Sequence, residues 1–184
     1  MRTSDQIGKI NSYQPSSEKH DKIVAWLYTN IEKLIEQDIP SRDIKDFFIM
    51  AKNDFEKKGA LPELCNFKKH IEYPVRGRSD GFGHCPIKGF IDLAVFVPIE
   101  LNYTNRDKSI ERVRTVTSSI YIEIKSTVDF TSTIRQIKFY QSFIDDGAGQ
   151  YEKNFWCVCS PDTKYRDIFR EQGIYFIEAP ANLP

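Results

Sequence analysis

The sequence predicts an α/β protein with a mixed central β-sheet flanked by helices. Two strand-length runs, 90–97 and 119–126, lie mid-chain between turn and proline signals. Segments whose apolar residues recur at helical spacing stand before and after them. The order along the chain is helix, three strands, helix, strand, helix, strand. In that order the first three strands can pair as antiparallel neighbours, and a strand, crossover helix, strand unit adds a parallel one.

Residues 1–17 are polar, contain Pro15-Ser16-Ser17 and are read as a flexible N-terminal arm. Ser16 or Ser17 can cap the first helix, with Glu18 and Asp21 in its opening turn. Ile23, Trp26, Leu27, Ile31, Leu34 and Ile35 form its stripe, and Pro40 ends it. A second helix is expected over 41–58, stopped by Gly59. Residues 61–70 are ambiguous between loop and short helix. A strand over 69–76 should place His70 and Glu72 opposite Ile71 and Tyr73. Residues 77–89 are a glycine-rich turn region containing Arg78, His84 and Lys88, with Arg76 just before it. The strand 90–97 is expected to stop at Pro98, leaving 98–118 as an insertion, either a hairpin extension or a loop. The central strand 119–126 and a helix over 131–145 follow. A strand over 154–160, a helix over 164–172 and a strand over 174–178 complete a single domain spanning 18–184.

The 184 residues suffice for a sizeable core, and the apolar and charged fractions are those of an ordinary globular protein. The formal net charge is zero, so no global field draws the chain onto nucleic acid, although a local basic groove remains open to it. No signal-peptide core and no long apolar run is present, which predicts a cytoplasmic or virion-associated protein with no membrane partner. Of the four cysteines, Cys157 and Cys159 flank Val158 on one strand and point the same way. With Cys65 and Cys85 they read as free thiols of a reducing compartment; the competing reading is a metal site that adds Cys85 and His84.

The chemistry concentrates in three places. Along 120–125 the residues alternate, so Tyr121, Glu123 and Lys125 share one face and three isoleucines the other. A carboxylate and an ammonium on a buried strand need pairing or a metal. Asp92 is the lone acid in an apolar run and needs a partner too. Gln136 and Tyr140 lie one turn apart on one helix face.

In order, Gly89-Phe90-Ile91-Asp92, Glu123-Ile124-Lys125 and Gln136 with Tyr140 match Gly-x-hydrophobic-Asp, Glu-x-Lys and Gln-x-x-x-Tyr. The chain thereby resembles the PD-(D/E)xK nuclease superfamily, in its RecB-like branch, which includes CRISPR-associated exonucleases. The resemblance covers roughly residues 19–177. It implies a restriction-endonuclease-like αβββαβ core and exonuclease-like, Mg²⁺- or Mn²⁺-dependent hydrolysis of DNA phosphodiesters. Asp92, Glu123 and the main-chain carbonyl of Ile124 would hold the metal, and Lys125 would orient or help deprotonate the attacking water. Gln136 and Tyr140 would shape the groove, with Arg135 and Lys138 near phosphates. Glu32, Glu36 and His20 are further candidates near the metal. Some relatives hold an iron–sulfur cluster with one cysteine before the motifs and three after. Two precede and two follow here, without a C-x-x-C, which argues against a cluster.

Each residue has a structural reading beside the catalytic one. Asp92 can cap a loop, Glu123 and Lys125 can be a simple ion pair, and Gln136 and Tyr140 can be ordinary helix surface. Two alternatives to the exonuclease follow: a non-cleaving module that binds nucleic acid or protein, and a dimeric resolvase or restriction-type endonuclease.

Overall fold

The computed structural model describes residues 17–37, 60–64, 67–79, 83–104, 110–145 and 153–183, with the backbone course alone for 36–37, 60–64, 98–104, 110–117 and 153. The expected helix over 41–58, residues 1–16 of the arm and Cys65 lie outside the described residues.

Helix α1 (Glu18–Gln37) carries Ile23, Leu27, Ile31 and Ile35 at steps of four, each at most 4% exposed. Ser17 caps it. The Ser17 hydroxyl accepts from the His20 N–H at 3.2 Å and its carbonyl from the Asp21 N–H at 3.1 Å. Glu18 and Asp21 then face the positive end of the helix dipole.

Six strands form one mixed sheet among the described residues: β1 (Ala60–Leu64), β2 (Lys68–Arg76), β3 (Ile87–Thr104), β4 (Ile110–Ile124), β5 (Lys153–Ser160) and β6 (Tyr175–Glu178). The order is β1-β3-β4-β5-β6, with β2 also pairing with β3. The pairs made by β3 are antiparallel; β4, β5 and β6 are mutually parallel. Helix α2 (Phe130–Ile144) connects β4 to β5, and α3 (Arg166–Glu171) connects β5 to β6. The Asp129 carboxylate starts α2 by accepting from the Ser132 N–H at 3.3 Å.

Each sheet face buries its own cluster. The α1 stripe covers Leu93, Val95, Val97, Ile120, Ile122, Ile124 and Phe155. Ile137 and Tyr140 of α2 and Phe169 of α3 cover Ala94, Tyr121, Trp156, Val158 and Phe176 on the other face. Each fully buried aliphatic side chain contributes about 1.5–3 kcal/mol, so both helices are held mainly by these stripes. No helix among the described residues is long and apolar enough to cross a membrane.

Two local expectations need correction. Pro98 does not stop the third strand: β3 runs on to Thr104, paired with β4 from Pro98↔Thr117 to Thr104↔Ile110. On the other edge of β3 the partner changes from β2, last paired at Phe96, to β1, first paired at Ile99. A residue without an N–H is tolerated where a strand changes partners. The long spacing between Asp92 and Glu123 is thus taken up by one extended hairpin. Strict alternation also fails in β2 and β3. Ile71 pairs with Leu93 and Tyr73 with Ile91, yet Leu93 packs in the α1-side cluster and Ile91 in the α2-side one. The reversal falls at Asp92 and Glu72, and Glu72 holds φ at 53°, in the left-handed region. In consequence His70 does not sit opposite Tyr73. Their ring centroids are 6.1 Å apart, and both rings meet Phe96 edge-on at 5.5 and 5.3 Å.

Because Glu72 is exposed and adopts a conformation that costs an L-residue about 1–2 kcal/mol, Glu72→Gly should raise stability by about 1 kcal/mol and Glu72→Val should lower it by at least as much. Urea denaturation of the two variants checks the pair of signs.

Candidate functional site

The ladder between β3 and β4 ends at Leu93↔Ile122, while β4 stays paired with β5 as far as Ile124↔Cys159. Toward its start β3 instead stays with β2, down to Ile87↔Arg76. The sheet therefore forks between β3 and β4, and the residues at the fork are Asp92, Glu123 and Ile124. Backbone groups at such a split lose their ladder partners and need others. Asp92 supplies one: its Oδ2 accepts from the Ile124 N–H at 2.7 Å. Its other oxygen lies 3.6 Å from His20 Nε2 in the first turn of α1. The Asp92 carboxylate holds the His20 pKa above its usual value, against the opposing effect of burial.

Glu123 is 1% exposed. Its Oε2 accepts from Lys125 Nζ at 3.0 Å, but its Oε1 is buried and has no hydrogen-bond partner among the described residues. Burial, with the Asp92 charge adding to it, pushes the Glu123 carboxyl up to about 8 despite the Lys125 ammonium. Lys125 Nζ also donates to Gln136 Oε1 at 3.1 Å, and Gln136 Nε2 donates to the Tyr140 hydroxyl at 3.3 Å. Burial works against the Lys125 ammonium, yet the Glu123 and Asp92 carboxylates outweigh it and raise its pKa. Burial also raises the Tyr140 phenol.

The structure thus brings together Asp92, Glu123, Lys125, Gln136 and Tyr140, with His20 beside Asp92. The Ile124 peptide is fixed at the same point through its N–H. Glu32 is not part of this group: it faces Lys69 of β2, with Oε1 2.8 Å from Nζ. The side chain of Glu36 lies outside the described residues. Arg135 and Lys138 are exposed on α2. Cys157 and Cys159 are free and buried in the α1-side cluster, and burial pushes both thiols up, which leaves them inert; Cys85 is exposed.

Among the described residues no three His, Cys, Asp or Glu side chains form a ready cage for a metal. Two carboxylates do converge, and one buried carboxylate oxygen has no hydrogen-bond partner among the described residues. Hard oxygen donors with the remaining positions left to water and substrate suit Mg²⁺ or Mn²⁺, so the residues present fit such an ion.

Two residues have supporting roles that the sequence does not show. Gly89 lies under Tyr140, where a Cβ would stand 2.5 Å from the Tyr140 hydroxyl and 2.8 Å from Cε1. Gly89 was visible as part of a motif, but its reason appears only once α2 is docked. Asp162 ties the end of β4 to the end of β5: its carboxylate accepts from the Val128 and Lys164 N–H groups, each at 3.2 Å. No spacing signal marks it, because the two segments meet only in the parallel pair.

Together the fold and the fork define a mixed α/β protein with a mixed sheet flanked by helices, compatible with a restriction-endonuclease-like architecture. No protein-family model and no curated protein matches the chain. Among solved structures it is similar to a repair endonuclease from Pyrococcus abyssi, at 12% identity and a TM-score of 0.36, over 94% of this chain and 50% of that one. The chain spans half the length of that structure.

Adding a methyl group at Gly89 should dislodge Tyr140: Gly89→Ala should cost about 1–3 kcal/mol, and most of that cost should vanish in a Tyr140→Ala background, a coupling that a double-mutant cycle by denaturation reads directly. The raised Glu123 pKa sets a second expectation. Between its unfolded value of 4.5 and about 8 the folded chain keeps a proton that the unfolded chain has lost. Stability of the cation-free protein should therefore fall as pH rises through that window, and Glu123→Gln should flatten the fall, as measured by melting temperature against pH.

Proposed function

We propose that this chain is a metal-dependent nuclease that hydrolyses DNA phosphodiester bonds, with Asp92 and Glu123 as the acidic ligands of Mg²⁺ or Mn²⁺. The observation that carries the reading is Glu123. A carboxyl is buried at the mouth of a split sheet with one oxygen unpartnered, beside a second carboxylate and a lysine. An orphaned buried acceptor costs about 1–3 kcal/mol, and a structural ion pair gains nothing by leaving it so. A divalent ion held there would supply charge neutralisation at the phosphate and acidify a water.

The side chains divide the remaining work. Asp92 is held from two directions, by the Ile124 N–H and by His20, so its carboxylate enters the fork in one orientation. Lys125 is kept as an ammonium by the acids around it. As an ammonium it can orient the attacking water or neutralise a phosphate oxygen. Gln136 fixes Lys125, and Tyr140 fixes Gln136, so the groove wall formed by α2 also sets the reach of the amine. Arg135 and Lys138 are exposed on the same helix.

Calorimetry with Mn²⁺ and cleavage of labelled DNA test the proposal together. Mn²⁺ affinity should rise from pH 6 to 8 as Glu123 gives up its proton. Asp92→Ala and Glu123→Gln should lose at least tenfold in affinity. Lys125→Ala should keep binding Mn²⁺ while losing about a hundredfold in cleavage rate, the scale on which removing one transition-state donor acts. Undiminished cleavage by Lys125→Ala, or no Mn²⁺ binding by the parent protein, would sink the proposal.

A further inference from the structure

Helix α1 meets the sheet through an apolar stripe, Ile23, Leu27, Ile31 and Ile35. Apolar contact is non-directional, so a stripe of similar aliphatic side chains holds the helix down without fixing how far along the sheet it lies. Polar contacts supply that direction. One is His20, whose Nε2 lies 3.6 Å from the Asp92 carboxylate at the fork. A second is Lys69 of β2, which pairs with Val95 and so stands on the α1 side. Its Nζ donates to the Tyr28 carbonyl at 3.1 Å, lies 2.8 Å from Glu32 Oε1 and stands 4.5 Å from the centroid of the Tyr28 ring. The Lys69 side chain is only 18% exposed, so its ammonium depends on these partners in place of water.

Tyr28 and Glu32 are one helical turn apart, so a single ammonium holds two successive turns and fixes both the rotation and the axial position of α1. An interior helix carbonyl keeps a second lone pair for an outside donor, which makes the Tyr28 contact compatible with the helix. The spacings along the two elements agree. Tyr28 follows His20 by about 12 Å of helix and Val95 follows Asp92 by about 10 Å of strand, so the two polar contacts close a frame whose long sides are α1 and β3. We propose that Lys69 is a positioning residue of the fork. Through Tyr28 and Glu32 it sets the register of α1 against the β2–β3 ribbon. It thereby delivers His20 to Asp92 and keeps the Asp92 carboxylate turned toward the Ile124 N–H. Glu32, expected from the sequence near a metal, works instead at a distance from the fork, as the counter-ion of Lys69. The positioning stands on geometry alone, and its consequence for cation affinity rests on the nuclease reading.

The test is the Ile124 amide resonance of the cation-free full chain, read by proton–nitrogen correlation spectroscopy, together with Mn²⁺ calorimetry on the same samples. Lys69→Met removes the charge at similar length. It should move the Ile124 amide toward its position in His20→Ala, and adding it to His20→Ala should move that amide no further. Lys69→Arg, which keeps a charge facing Glu32, should leave the resonance near that of the parent. Mn²⁺ affinity should fall about tenfold in Lys69→Met, the scale for groups that orient a metal ligand without touching the metal, and the losses should not add in the double variant. An Ile124 amide unmoved by Lys69→Met while the melting temperature falls makes Lys69 a stability residue only and overturns the inference, as do additive losses in the double variant. Should Lys69→Met fail to fold, Glu32→Gln carries the comparison, and an unmoved amide there overturns it equally. Absent Mn²⁺ binding by the parent with a moved amide removes the nuclease reading alone. Mn²⁺ binding undiminished in Lys69→Met, with an unmoved amide, removes the positioning role alone.

Discussion

A carboxyl group enclosed in a sheet interior is the constraint around which the rest of the molecule is arranged. Glu123 is 1% exposed, and an isolated charge in such a place costs far more than any single contact returns. The fold answers with a proton, through a pKa raised to about 8, and with the Lys125 ammonium at 3.0 Å. Neither answer uses the second carboxylate oxygen. A site arranged purely for stability would replace the pair with apolar residues, which is commonly neutral or favourable in buried ion pairs. It is on this under-satisfied acid that the proposed metal site rests.

Two lines of contact converge on this acid from opposite faces of the sheet. From the α1 side, His20 approaches Asp92, whose carboxylate accepts from the Ile124 N–H. From the α2 side, Tyr140 accepts from Gln136, which accepts from Lys125, which donates to Glu123. Each line is anchored in a separate hydrophobic cluster, one packed under α1 and the other under α2 and α3. The precision of the fork is thus inherited from apolar packing well outside it. Gly89 marks how tight the second line is, since the Tyr140 ring occupies the space a Cβ would need.

Much of this was legible in the sequence because it rests on short-range periodicity. The alternation of 120–125 placed Glu123 and Lys125 together, and the one-turn spacing of Gln136 and Tyr140 placed both on the face that meets them. The α1 stripe and the parallel crossovers were legible for the same reason. What escaped depends on which strand lies beside which. Pro98 looked like a terminator because a sequence cannot show that the outer edge of β3 changes partner there. Glu72 looked like an ordinary strand residue because nothing local demands a positive φ; the demand comes from the ribbon reversing its faces opposite Asp92. Asp162 and the close approach at Gly89 follow from long-range packing and have no local signature.

The reversal at Asp92 and Glu72 also explains how one acid serves a site that the alternation of β3 alone would not reach. Counting from Ala94, a strict period of two would send Asp92 into the cluster beneath α2. The ribbon instead turns over between Ile91 and Leu93, carrying Asp92 to the α1 side just where β4 stops pairing with β3. Its carboxylate can then cross the gap to the Ile124 N–H, while Glu123, on the next strand, enters the same gap from the other face. A left-handed backbone conformation at Glu72, costing about 1–2 kcal/mol, accompanies the crossing on the neighbouring strand. Local strain of that size persists only where the surrounding packing imposes it, and here that packing brings two acids from opposite faces of a sheet to one opening.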